Sequence, residues 1–189
     1  MSSHHIVREN QEPALLVASL SALDREYLGQ LLEWSPTIFA DDYTIDFLQA
    51  DGIKVDFIVS NRVLSNLDLQ EQTQVIPLLH DFITDGLNYL NQKQYKAVNI
   101  LCDTIPAAIT DFCNDINIVL FMSGRRYVLV QEQYEKWKRA GDLIFVHENQ
   151  LKSLVGIRKE AEDTFVVEQD GFIYLAFNTP DFVLIGEDI

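Results

Sequence analysis

Positive charge is scarce in this 189-residue chain: 14 lysines and arginines face 29 acidic residues, for a formal net charge of -15. The corresponding pI is about 4.4. A surface of that sign repels phosphate backbones and anionic membranes, so no nucleic-acid or membrane partner is expected. It is also a poor general sink for a nucleoside triphosphate, whose site would need a metal ion or a local basic cluster. Cysteines number only two, Cys102 and Cys113, and their spacing matches no zinc or redox pattern. Both sit in apolar stretches and are expected as buried free thiols, which suits a cytoplasmic location. No apolar run is long enough to cross a bilayer, and the opening Met-Ser-Ser-His-His has no apolar signal core. Glycines number 8, and none falls in a Walker-type loop, a Rossmann fingerprint or a nucleophile elbow. The four histidines form no ligand pattern, and His4-His5 is read as neither tag nor metal site.

What is present is an ordinary globular composition, 48% apolar and 23% charged, with enough length for one large domain or two small ones. The first two thirds alternate strand-like and helix-like segments. Leu15 to Ser19, Thr37 to Ala40, Val55 to Val59, Val75 to Leu79, Ala97 to Cys102 and Ile116 to Met122 read as strands. Leu23, Leu28, Leu31 and Leu32 recur at helical spacing behind a capping-box-like Ser21 and Asp24, and Pro36 closes that segment. Asp42 is placed to cap a helix carrying Ile45, Phe47 and Leu48, with Gly52 closing it. Asp81 to Gln92 reads as a helix burying Phe82, Leu87 and Leu90, and Pro106 to Asn114 as a short one. Near-continuous apolar strands between helices predict a parallel sheet covered on both faces.

The last third changes character. Tyr127 to Val130, Leu143 to Val146, Leu154 to Ile157, Thr164 to Val167, Phe172 to Phe177 and Phe182 to Ile185 read as short strands between turns. Asp170-Gly171 carries a hairpin signal. The expected fold class is α/β: an N-terminal parallel-sheet three-layer domain over residues 1–122, then a small antiparallel β-sandwich-like domain over 123–189.

Open α/β sheets take ligands at the carboxyl ends of their strands. Those ends carry Asp41-Asp42, Ser60-Asn61 and Asp103-Thr104, which equally suit ordinary turns and caps. Arg125, Arg126, Lys136, Lys138 and Arg139 form a local cationic cluster. It is read as a solvated face balanced by acids such as Glu132 and Glu135, with phosphate binding as the sharper alternative.

Several framework segments resemble the thiamine pyrophosphokinases, in particular their Bacteroidetes branch. They are Met1 to Arg8, Gln11 to Leu16, Leu28 to Thr37, Gly52 to Asp56, Lys96 to Ile100, Tyr134 to Trp137, Ala140-Gly141 and Asp170 to Phe172. The family transfers pyrophosphate from ATP to thiamine with magnesium. It joins an N-terminal α/β domain to a C-terminal β domain and forms homodimers. The resemblance implies that fold and a homodimer here, with thiamine or a nucleotide as ligand, and ATP and magnesium if the chain is active.

The functional motifs depart from the family pattern. The match places Asp42 on the family's first metal-binding aspartate, but the following glycine is Tyr43. The Gly-Asp-Phe-Asp motif becomes Ser60-Asn61-Arg62-Val63, which keeps one neutral oxygen at Asn61 and adds a cation. The acidic helix start is represented by His80 to Asp85, with Asp81 or Asp85 able to serve. The Arg-x-Asp-His loop is replaced by Asp103 to Ala108. A retained framework with an altered site implies a non-catalytic homolog that binds a small molecule or a protein. Its candidate metal ligand is Asp42, its candidate ligand-binding residues are Asn61, Asp81 and Asp85, and no catalytic residue is assigned. The alternative is an active thiamine pyrophosphokinase with a rearranged magnesium site.

Overall fold

A computed structural model describes residues 12–62, 70 and 72–189. His4-His5, the family-like segment before Glu12, and Val63 lie outside the described residues.

The first strand, β1 (Ala14–Val17), is wholly buried. Its alternate side chains enter two different cores: Ala14 and Leu16 on one face of the sheet, Leu15 and Val17 on the other. That is why it reads as an unbroken apolar run rather than an alternating one. The same division holds in β5 (Ala97–Leu101) and β6 (Asn117–Met122). Ile100 and Leu120 face the first core, Leu101 and Phe121 the second. Helices α1 (Arg25–Leu32) and α2 (Ile45–Ala50) cover the second core, and α3 (Phe82–Gln92) and α4 (Ile109–Phe112) the first. The three-layer α/β expectation is met.

Local chemistry fixes the helix starts. Asp24, not Ser21, is the N-cap of α1: its Oδ1 accepts from Tyr27 N at 2.7 Å. Ser21 instead turns toward the strand ends, where its hydroxyl donates to Asp103 Oδ1 at 3.0 Å. Asp81, read as the first residue of a helix, is instead the N-cap of α3. Gly86 lets α3 lie against β1, since a Cβ there would stand 2.8 Å from Leu16 Cδ2.

Strands β2 (Ile38–Asp41), β3 (Phe57–Ser60) and β4 (Gln74–Pro77) continue the parallel sheet from β1, with Leu16 opposite Phe39 and Val59 opposite Ile76. On the other side come β5 and β6. The sheet then turns antiparallel through β7 (Arg125–Val130). The β6–β7 loop is the two residues Ser123 and Gly124, both left-handed with φ 52° and 72°, the twist that suits a tight hairpin.

The sheet carries on through β14 (Val183–Asp188), β9 (Leu143–Phe145), β12 (Thr164–Val167) and β11 (Ile157–Ala161). It reaches eleven strands in the order β11-β12-β9-β14-β7-β6-β5-β1-β2-β3-β4. A second sheet of three strands, β10 (Leu151–Val155), β13 (Gly171–Phe177) and β8 (Gln133–Lys138), packs on the antiparallel half. The core between them holds Phe165, Ile173, Leu175 and Ile185. The antiparallel sandwich expectation is met.

Two local readings are corrected. Leu154 to Ile157 is not one strand: Gly156, at φ 81°, separates β10 from β11, which belong to different sheets. Asp170-Gly171 is not a hairpin turn. It carries the chain from β12 in the large sheet to β13 in the small one, and Asp170 Oδ1 accepts from Ala140 N at 2.8 Å.

Candidate functional site

From β1 the chain steps outward to β2, β3 and β4, then returns to place β5 on the opposite side of β1. The strand order therefore reverses between β1 and β5. In such sheets a crevice forms outside the carboxyl ends at that point. A cleft of about 660 Å3 opens there. Ala18 follows β1, Cys102 to Ala108 follow β5, and Asp81, Ile83 and Thr84 come from the start of α3.

The two strand ends are tied together. Ser19 Oγ donates to Asp103 Oδ1 at 2.5 Å, and Ser21 Oγ donates to the same atom. Asp81, Asp103 and Asp111 line the cleft with Thr84 and Thr104, and among the described residues no lysine or arginine does. Its electrostatics thus favour a cationic or neutral, donor-rich ligand. Cys102 also lines it, but burial, aided by the Asp103 charge, pushes its thiol up to about 12. It is a packed thiol and not a nucleophile.

The candidate residues from the sequence are dispersed. Asp42, at the end of β2, accepts from Ser60 Oγ at 2.7 Å, and Arg62 Nε stands 3.5 Å from the same oxygen. It does not cap α2. The neighbouring Asp41 orders that turn, its Oδ1 accepting from Tyr43 N, Thr44 N and Thr44 Oγ1 at 2.8–2.9 Å. The Asp41 carboxylate folds back over the next three residues, while that of Asp42 reaches across to the end of β3. Tyr43 is 82% exposed and fills no cleft. Asn61 is exposed beside Arg62.

Asp81 does line the cleft, but its oxygens are engaged: Oδ1 accepts from Ile83 N and Thr84 N at 3.0 Å, and Oδ2 from Thr84 Oγ1 at 2.5 Å. Asp85 is buried and accepts from Leu79 N, His80 N and His80 Nδ1 at 2.7–2.9 Å. Burial alone would push its carboxyl up; the His80 and Leu79 bonds outweigh it and hold the group below the ordinary range. Asp42, Asn61 and Asp85 do not line the cleft, whereas Asp103 and Asp111 do.

Magnesium asks for several oxygen ligands with free lone pairs around one point. Here Asp42 already faces a guanidinium, and Asp81 and Asp85 are spent on the chain's own donors. Among the described residues no three His, Cys, Asp or Glu side chains are grouped to hold a metal ion. The described residues do not fit such an ion.

The cationic cluster is balanced from within, though by other acids than Glu132 and Glu135. Lys136 and Lys138 each place Nζ 2.7 Å from Glu187 Oε2, and Arg125 Nε is 3.3 Å from Asp188 Oδ1.

No family model matches the chain, and no curated protein does. Solved structures do share its fold. Yeast thiamin pyrophosphokinase matches with a TM-score of 0.70 at 7% identity, over 98% of this chain and 88% of that one. Thiamine pyrophosphokinase from Bacillus subtilis matches at 0.57 and 11% identity, over 93% and 97% of the two chains. A protein from Lactobacillus plantarum matches at 0.63 and 13%, again over 93% and 97%. At such identities the likeness is one of fold.

Proposed function

We propose that this chain is a non-catalytic small-molecule-binding protein built on the thiamine pyrophosphokinase fold, with its ligand in the cleft between the ends of β1 and β5. The observation that carries the reading is the state of the carboxylates. Asp42, Asp81 and Asp85 are each engaged by donors of the chain itself. Transfer of a pyrophosphoryl group needs its negative charge neutralised and held in line, usually by magnesium on free carboxylates. Here those three carboxylates are already occupied, and an arginine stands beside the one candidate metal ligand. The altered motifs, the homodimer and the cytoplasmic location belong to the same proposal.

The charge of the cleft also chooses between the two molecules that a thiamine pyrophosphokinase brings together. Thiamine is a cation and ATP a polyanion, so an acidic cleft favours the first. Two measurements test the reading. Pure protein incubated with thiamine, ATP and magnesium should yield no thiamine pyrophosphate by mass spectrometry, whereas product lost on chelation would establish the active-enzyme alternative. In thermal melts, thiamine should raise the midpoint and ATP should not, because a ligand at a hundred times its Kd adds about 2.7 kcal/mol to the native state. No shift with thiamine would remove the ligand half of the reading. Light scattering tests the homodimer against the 21.7 kDa mass of one chain.

A further inference from the structure

A second pocket lies beside the cleft, and Ile105 forms part of the wall of both. It measures about 270 Å3 and opens against strands β7, β9 and β14 of the large sheet. Its apolar lining is Ile105, Tyr127, Phe145, Val146 and Leu184. Arg125 and His147 also line it, and both are held in place by other partners.

The Arg125 guanidinium lies 3.6 Å over the centre of the Phe145 ring, with Nε 3.3 Å from Asp188 Oδ1. No other described residue bonds it, so its terminal nitrogens are left as the edge that pairs side by side with a carboxylate. His147 has Nδ1 2.6 Å from Asp163 Oδ2, and Asp163 Oδ1 accepts from Glu148 N at 2.8 Å. The Glu148 and His147 bonds hold the Asp163 carboxyl below its ordinary range. With Nδ1 engaged, Nε2 is the ring atom left for a ligand.

We propose that this pocket binds a small monocarboxylic acid with a flat apolar body. The carboxylate pairs with Arg125, and the body lies against Tyr127, Leu184 and Ile105. An arginine held in place before binding costs little to order. Glu162 and Asp163 also line the pocket, and with the overall acidity they oppose a second negative charge, which disfavours phosphates and dicarboxylates. The site is separate from the cleft, so its fate does not depend on the thiamine reading.

Benzoate is the probe, titrated calorimetrically into the full chain, with benzamide as the uncharged shape control and inorganic phosphate as the charge control. Saturable benzoate binding is expected, with benzamide and phosphate each weaker by about tenfold or more, the scale of one charge-assisted pair. Arg125→Gln should weaken benzoate by a similar factor. Glu162→Gln, which changes only an exposed residue, should tighten it, and that arm stands even if the Arg125 variant folds poorly. The proposal is overturned by no saturable benzoate binding at millimolar concentration. It is equally overturned by benzamide binding as well as benzoate, or by a Glu162→Gln affinity no higher than that of the original chain.

Discussion

Arg62 Nε stands 3.5 Å from Asp42 Oδ1, the same carboxylate oxygen that accepts from Ser60 at 2.7 Å. The arginine is half exposed, so the pair contributes little to stability. Its consequence is chemical, because a fixed positive charge sits at the one aspartate that the sequence resemblance proposes for metal. Arg62→Ala is expected to leave thiamine pyrophosphate formation undetectable by mass spectrometry, since Asp81 and Asp85 stay committed elsewhere. Turnover in that variant would mean that a single ion pair was all that silenced the site.

Asp85 secures the turn between β4 and α3 through the backbone amides of Leu79 and His80. Asp85→Ala removes both carboxylate oxygens and leaves those amides and His80 Nδ1 without their acceptor. Urea denaturation should show a loss of about 2 kcal/mol, the usual cost of buried donors left unsatisfied. Amide exchange at Leu79 and His80 should accelerate in the same variant. An unchanged urea midpoint would show that the turn is held by packing alone.

Glu187 supplies a pH dependence. Burial pushes its carboxyl up, but Lys136, Lys138 and Tyr134 together outweigh burial and lower it from 4.5 to about 2. A folded value below the unfolded one means the native state gains stability above pH 4.5 and loses it as pH falls toward 2. Glu187→Gln should remove that dependence and leave Lys138, its side chain only 11% exposed, without a counter-charge, at a cost of about 3 kcal/mol. Denaturation midpoints at a series of acidic pH values, compared between the two proteins, check both parts.

Two glycines should respond oppositely to alanine. At Gly186 an added Cβ would collide with the Tyr127 ring and come within 3.0 Å of Phe145 Cβ. Gly186→Ala is expected to destabilise by about 1–3 kcal/mol, the range for overpacking. Gly29 lies within α1 with nothing within 4 Å of the same atom. Gly29→Ala should stabilise by roughly 0.5–1 kcal/mol through helix propensity. Thermal melts of the two variants should move in opposite directions.

How far the sequence carried can be traced residue by residue. Strands β1, β5 and β6 were legible because both their faces are buried, and α3 because Asp81, Phe82, Leu87 and Leu90 sit at cap and core positions. Strand β8 was missed. Its inward face carries Tyr134, Lys136 and Lys138, and the lysines are neutralised by Glu187, some fifty residues later in the chain. A pattern of hydropathy cannot register a charged residue that faces inward because its partner lies far along the chain. The Asp170-Gly171 signal failed for a related reason: turn chemistry is local, but the choice of sheet is not. In the cleft, Asp81 and Asp103 could be found from caps and strand ends. Asp111, and the Ser19 hydroxyl that donates to Asp103, could not, because their convergence depends on β5 lying beside β1.

The two-residue link at Ser123 and Gly124 has a practical meaning for anyone wishing to divide this chain. A cut there removes β7 from β6 and bares the amide row of a strand whose last five residues are buried. Such an edge recruits other strands. The N-terminal portion expressed alone is therefore expected to aggregate, and the tight turn that looks like a convenient place for scissors is a seam inside one continuous sheet.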